Sequence, residues 1–210
     1  VLIPKKKGGN WWETRPIALQ HALNKVVARY CLSKLSCGFK DILAPEQIGF
    51  QKGKRPSDHV WRMCTTERDK KYWLFVDLKS AYNSVPWHIL WESLECRGVP
   101  PETINVIRNM YIGSTSTAVW KGYETEPFDE LRGVRQGCPM SPTLFNIVFD
   151  VLLRKLTQVV GVNTLAFADD LACTSNSKSA ILEIIDILDQ IEAKSGMSVN
   201  WEKTVLVVKE

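Results

Sequence analysis

Apolar residues recur along this chain with two distinct periods. In "SPTLFNIVFDVLLRKLTQVV" (141–160), Leu144, Ile147, Val148, Val151 and Leu152 fall at the spacing of one buried helical face, with Ser141 placed as an N-cap and Pro142 in the first turn. "SAILEIIDILDQIEAKSG" (179–196) repeats the pattern with Ile181, Ile184, Ile185, Leu188 and Ile191, and Gly196 is a suitable stop. Shorter helices are predicted over 19–36, 57–69, 87–96 and 102–111. Extended runs predict strands at "YWLFVDL" (72–78), "STAVWKG" (116–122) and "TVLVVK" (204–209). A further pair of strands is predicted around "TLAFADDLACTS" (164–175). There Leu165, Phe167, Leu171 and Cys173 alternate on both sides of Asp169-Asp170, which places the two acids at the tip of a hairpin held close to a core. Strands and helices mix without strict βαβ alternation. That order predicts an α+β fold, with helices packed on one face of an antiparallel sheet. No internal repeat or low-complexity linker divides the chain, so any subdomains are interleaved.

Composition narrows this picture only a little. At 210 residues, 45% apolar and 24% charged, the chain can bury the core of one large domain or two small ones, and disorder is not indicated. A net charge of +4 allows a polyanionic partner without establishing one. The distribution of charge says more: Lys5, Lys6 and Lys7 open the chain, and Lys52, Lys54 and Arg55 cluster in "GFQKGKRPSDHV". Cys31, Cys37, Cys64, Cys96, Cys138 and Cys173 form no C-x-x-C pair and have no histidine at zinc-ligand spacing. They read as reduced, partly buried thiols of an intracellular protein. No apolar run approaches the roughly 18 residues needed to cross a bilayer, so no membrane association is expected. The start "VLIPKKKGGNWW", without an initiator methionine, reads as part of a longer polypeptide.

The acids raise the chemical question. Alone, Asp169-Asp170 is a solvated turn, but two carboxylates beside a core repel each other and raise at least one pKa unless a cation compensates. Mg²⁺ is the simplest compensator, since it takes one or two carboxylates plus substrate phosphates. A third acid, Asp77, ends the apolar strand "YWLFV", where a carboxylate is expensive unless paired or metal-bound. Its alternative role is to cap the following turn through Ser80. Three carboxylates from two strands could hold two Mg²⁺ ions about 4 Å apart, an arrangement suited to phosphoryl transfer. Between the acids, "LRGVRQGCPMSPTLFNIV" offers Gly133 and Gly137 for close backbone approach, and Arg135 and Gln136 as donors for a ribose, base or phosphate.

Taken in order, "RPIAL", "QIGFQKGKRPSDHV", "LFVDLKSAYNSV", "GVRQGCPMSPTLFNIVFD", "FADD" and "GMSVNWEKTVLV" resemble the reverse transcriptase of non-LTR (LINE-type) retrotransposons over nearly the whole chain. The resemblance implies a right-hand polymerase core in which fingers (1–70 and 86–140) and palm (71–85 and 141–210) form one interleaved domain, with the thumb absent. It implies Asp77 and Asp169 as metal ligands and Asp170 as the adjoining catalytic acid, with two Mg²⁺ ions for which Mn²⁺ could substitute. Gln136 and Gly137 would line the incoming dNTP, and Arg15, with Lys5 or a neighbouring lysine, would meet its triphosphate. Lys203, in the block similar to the last palm motif of the family, would protonate pyrophosphate. Lys52, Lys54 and Arg55 would track the template backbone, or form a solvated loop. The implied partners are an RNA template, a DNA primer, dNTPs and the thumb and endonuclease regions of the same polyprotein, acting in the nucleus and cytoplasm.

Tyr82 bears on the choice of nucleotide. A bulky ring five residues after Asp77 would clash with a 2′-hydroxyl and favour deoxynucleotides, although it could also be a packed core tyrosine. RNA-dependent RNA polymerases tend to place a polar acid there and Gly-Asp-Asp in the hairpin, where this chain has Tyr82 and Ala168. Asn83 departs from the Asp many relatives carry. Two other readings stay open: a group II intron or retron-type reverse transcriptase, and a domesticated RNA-binding module that keeps the fold. His21, His59 and His88 read as helix-surface or satisfied core residues. The eight tryptophans read mainly as packing, with Trp11 or Trp12 able to stack on a template base.

Overall fold

The apolar run beginning at Tyr72 lies inside the largest sheet of the structure, a computed structural model that describes residues 1–6, 10–38 and 43–210. The chain opens with a small hairpin, β1 (Leu2–Pro4) on β2 (Thr14–Pro16), followed by helices α1 (Ala22–Gly38) and α2 (Pro56–Cys64). Strand β3 (Tyr72–Val76) leads through a short turn of helix, α3 (Ala81–Ser84), into α4 (Trp87–Cys96) and α5 (Pro101–Asn109). Four two-residue strands follow: β4 (Thr115–Ser116), β5 (Val119–Trp120), β6 (Tyr123–Glu124) and β7 (Phe128–Asp129). Helix α6 (Ser141–Leu156), the hairpin β8 (Val162–Phe167) and β9 (Asp170–Ser175), helix α7 (Lys178–Ser195) and strand β10 (Val205–Val208) complete the order.

The main sheet runs β10-β3-β9-β8 and every pair in it is antiparallel. Register explains which side chains it buries. Leu74, Val76, Ala166, Leu171 and Cys173 share the inner face and join one core with Leu144, Ile147, Val148, Ile181, Ile184 and Leu188 of α6 and α7. The helical spacing read from sequence is the spacing of this face with one exception: Val151, expected on it, is exposed, and α6 instead also buries Phe145, Phe149 and Leu153 because it is packed on more than one side. On the opposite face, Thr174 and Asn163 lie under Glu67, which accepts from Thr174 Oγ1 at 2.6 Å and from Asn163 Nδ2 at 2.9 Å. Farther along that face, Phe75, Val205 and Val207 stay open to solvent. Behind α6, helices α4 and α5 add a second layer, in which Trp87 and Trp91 meet the fully buried Tyr111 edge-on at 5.7 and 6.3 Å. Asp150, with no exposed surface, accepts from Arg97 at 2.7 Å, from Arg154 at 2.6 Å and from the Ala44 backbone. Paired and hydrogen-bonded in this way, a buried carboxylate is tolerable.

The α+β layout matches expectation, and the departures are local. The run 116–122 is not one strand, because Lys121 (φ 48°) and Gly122 (φ 86°) both adopt left-handed backbone, the signature of a tight hairpin turn, and reverse the chain between Trp120 and Tyr123. Ser141 does not cap α6. Met140 already has helical backbone, and Ser141 is buried with its hydroxyl 3.4 Å from that of Tyr111. That helix stops at Leu156 rather than 160, with Val159 turning into the core ahead of Gly161 (φ 78°). Helix α2 ends at Cys64 rather than 69: Thr65 Oγ1 bonds back to the Trp61 carbonyl, which frees Glu67 to reach the sheet. Gly196 (φ 68°) closes α7 as expected. Among the described residues, no helix is long and apolar enough to cross a membrane.

Candidate active site

Pairing of β3 with β9 carries the acids together. Val76 stands opposite Leu171 in the last pair of the ladder, and Asp77 and Asp170 are the next residues beyond it on the two neighbouring strands. Asp169 occupies the turn between Phe167 and Asp170. The electrostatics agree: the Asp170 carboxyl is held above its ordinary value by burial and by the negative charges of Asp169 and Asp77. The other edge of β3 is shaped to hold Asp77. Val205 pairs with Phe75 and Val199 bridges to Leu78, so five residues on one strand face two on the other and three are looped out. This turn grips Asp77: Asn200 Nδ2 donates to Asp77 Oδ2 at 3.0 Å, the Asn200 N–H donates to the Asp77 carbonyl at 2.7 Å, and the Asp77 N–H donates to Thr204 Oγ1 at 3.3 Å. The alternative cap through Ser80 is not formed: the Asp77 carboxylate accepts from Asn200 instead, and Ser80 makes no side-chain cap bond of its own. Lys203 lies on the same looped-out turn with its side chain exposed.

The tip of the β8–β9 hairpin is strained. Ala168 has φ 55°, at a turn position that favours glycine. Such a residue costs on the order of 1–3 kcal/mol. Gln47, fully buried, counters this: its Oε1 accepts the Ala168 N–H at 2.8 Å and its Nε2 donates to the Ala168 carbonyl at 3.0 Å. Two buried bonds of about 0.5–1.5 kcal/mol each are of the right size to hold the turn. Gly49 makes the approach possible, since a Cβ there would lie 2.2 Å from the Ala168 nitrogen.

Tyr82 borders the acids. Its ring stacks on Phe145 at 4.9 Å and 6° between planes, and its hydroxyl pKa is pushed up to about 12 by burial and the charge of Asp169. Tyr82 is thus packed on the core while its hydroxyl feels the charge of Asp169. Gln136 and Gly137 are joined to the N-terminal hairpin. The Ala18 N–H donates to the Gln136 carbonyl at 2.7 Å, and a Cβ on Gly137 (φ 103°) would meet the Ala18 carbonyl at 3.1 Å. Arg15, exposed on β2, pairs with Ile3, and the Lys5 N–H continues the ladder to the Glu13 carbonyl, so these two cations share one small hairpin. Lys7 and the Trp12 side chain fall outside the described residues. Arg135, read as a donor for substrate, is otherwise engaged: its guanidinium bonds Glu130 at 2.7 and 2.9 Å and the Met110 carbonyl at 2.8 Å, and lies 4.8 Å from the Tyr111 ring. Lys52, Lys54 and Arg55 are exposed on the loop entering α2, beside Phe50, whose ring lies 6.3 Å from that of Phe167.

The donor chemistry suits a hard divalent cation, with one correction. Among the described residues no group of three acidic, histidine or cysteine side chains is set to hold a metal ion, so the three-carboxylate cage expected from sequence is not formed. Mg²⁺ does not require one, because it completes its octahedron with water and substrate phosphates around one or two carboxylates. Asp77 and Asp169 with Asp170 beside them fit that demand. Sequence reasoning missed Asn200, Thr204, Gln47 and Gly49. Asn200 and Gln47 lay inside blocks singled out for other residues, and an uncharged amide carries no signal of its own.

The reverse transcriptase (RNA-dependent DNA polymerase) family matches residues 3–210. A Pol polyprotein from the type-1 retrotransposable element R2 of Popillia japonica is 29% identical over 99% of the chain, which spans 31% of that protein. The corresponding polyprotein from the type-2 element R2DM of Drosophila melanogaster is 30% identical over 63% of the chain and 13% of its own length. The chain thus spans under a third of these relatives. Apo telomerase from Candida tropicalis, truncated from its C-terminal domain, superposes with a TM-score of 0.67 at 19% identity, over 88% of this chain and 40% of that one, and so shares its fold.

Proposed function

The chain belongs to the reverse transcriptase family and is related to the polyproteins of non-LTR retrotransposons, and on that premise we propose that it is an RNA-directed DNA polymerase core. In this reading it extends the 3′-hydroxyl of a DNA primer with dNTPs on an RNA template. The observation that carries the reading is the meeting of Asp77 with the Asp169-Asp170 turn across β3 and β9.

Each residue then has a task. Asp77 and Asp169, with Asp170 adjoining, would hold two Mg²⁺ or Mn²⁺ ions, whose chemistry there is to activate the attacking hydroxyl and neutralise charge on the departing oxygen. The chain itself contributes positioning and fixed charge rather than covalent chemistry. Asn200 and Thr204 keep Asp77 aimed. Tyr82 walls the sugar position, Gln136 and Gly137 line the nucleotide, and Lys5 and Arg15 offer positive charge to its triphosphate. Lys203 delivers a proton to pyrophosphate, and Lys52, Lys54 and Arg55 follow the template backbone. Fingers would comprise 1–70 and 86–140, and palm 71–85 and 141–210; in support, all four strands of the main sheet and both of its packing helices fall within the palm ranges. The thumb and endonuclease would be supplied by other parts of a polyprotein, working in the nucleus and cytoplasm.

Primer extension on an RNA template tests the proposal. Asp77→Asn and Asp169→Asn should each reduce incorporation by about 10²–10³-fold or more, the scale of losing a preorganised charge at a reacting centre. Incorporation that survives either change at the wild-type rate overturns the mechanism.

A further inference from the structure

The acids depend on a turn that its own sequence does not favour. Ala168 precedes Asp169 directly and adopts a backbone conformation that L side chains rarely take (φ 55°). What surrounds it is built from a segment more than a hundred residues earlier. Gln47 is fully buried, and all three of its side-chain bonds point at this turn or at its own platform: Oε1 accepts from Ala168 and from Gly49, and Nε2 donates to the Ala168 carbonyl. The amide orientation is forced, because the reverse would set an NH₂ group against two N–H donors.

The platform under Gln47 is itself fastened. Gln47 bridges Ala166 of β8, Ile48 N–H donates to the Ala166 carbonyl at 2.9 Å, and Ala166 N–H donates to the Glu46 carbonyl at 3.0 Å. The buried His59 sets Nε2 within 3.1 Å of the Glu46 carbonyl and 3.0 Å of the Ala166 carbonyl. Asn146, from α6, donates to the Gly49 carbonyl at 2.8 Å. A side chain whose only charge-free function is to fill space would need none of this.

We infer that Gln47 is a positioning residue that clamps Ala168 in its left-handed conformation and thereby fixes the direction in which Asp169 is presented. The inference rests on the polymerase reading for its consequence, and on the hydrogen bonds alone for the clamp. Gln47→Ala removes both bonds to Ala168, and the turn relaxes toward an unstrained backbone. Ala168→Gly supplies a residue that holds positive φ without help, so it should compensate.

Primer extension at varied dNTP concentration separates the two effects. Gln47→Ala should lower kcat by about 10²-fold, as expected for a small misplacement of a reacting group, while KM for the dNTP stays within about threefold. Adding Ala168→Gly to Gln47→Ala should recover at least about tenfold of the loss, because glycine relieves the strain that the amide had held. Gln47→Met, close in volume and unable to clamp, replaces Gln47→Ala should the smaller side chain unfold the core, as judged by near-ultraviolet circular dichroism. A folded Gln47 variant with wild-type kcat, or a loss that Ala168→Gly leaves untouched, overturns the inference. If the chain incorporates nothing, or incorporates equally with Asp77→Asn, the polymerase reading fails and amide hydrogen exchange decides the clamp. Faster exchange at Ala168 in Gln47→Met then supports it, and unchanged exchange overturns it.

Discussion

Tyr82 lies flat on Phe145 beside the charge of Asp169, so replacing the ring both opens space next to the acids and removes a packing partner. Tyr82→Ala should therefore admit ribonucleotides, raising the ratio of rNTP to dNTP incorporation at least about tenfold, as measured by competing the two on one RNA template. An unchanged ratio would leave Tyr82 as core packing alone. At this scale the acids were legible because a carboxylate is costly at the end of an apolar strand or inside a hairpin, so its presence demands a reason. Asn200 and Gln47 were not. Their partners, Asp77 and Ala168, lie 123 and 121 residues away along the chain, and no local pattern encodes a bond across that distance. Arg135 misled for the complementary reason: a flexible turn rich in donors reads the same whether its guanidinium meets a substrate or Glu130.

Among the elements, the connection after α2 ties the outer face of the sheet to pH. Burial raises the Glu67 carboxyl, but bonds from Thr174 and Asn163 and the charges of Lys70 and Arg62 outweigh it, and the net pKa is lowered below 4.5. Glu130 is lowered likewise, burial being outweighed by Arg135, Ser116 and Ser114. A depressed folded pKa contributes stability that is fully present above the unfolded value and is lost as pH falls through the folded one. Urea unfolding followed from pH 7 downward should thus show stability falling below about pH 4.5. Glu67→Gln should be less stable at pH 7 by about 1.5–3 kcal/mol and should flatten that acid-side slope. Helices α6 and α7 were legible because their apolar spacing is the geometry of the face they bury. The run 116–122 was not, since two β-strands joined by a left-handed turn at Lys121-Gly122 show the same residue types as one longer strand.

For the molecule as a whole, the edge strand of the main sheet presents four successive exposed apolar residues. Val205, Leu206, Val207 and Val208 are 44–51% exposed on β10, the edge strand beside β3. An uncharged edge of this kind recruits other strands. Sedimentation velocity should show self-association that rises with concentration, and Val207→Lys should suppress it while changing stability by about 0.5 kcal/mol or less. An association that Val207→Lys leaves intact would point to another face. Sheet order also bears on how the chain is made. The central strand, Tyr72–Val76, emerges from the ribosome well before either of its neighbours, Asp170–Ser175 or Val205–Val208, exists. At ordinary translation speeds that leaves both backbone edges of this aromatic-rich strand without partners for on the order of 5–20 s. The nascent polypeptide is therefore most vulnerable to misassembly, and most dependent on a chaperone, in the interval between synthesis of the first acid and of the doublet that answers it.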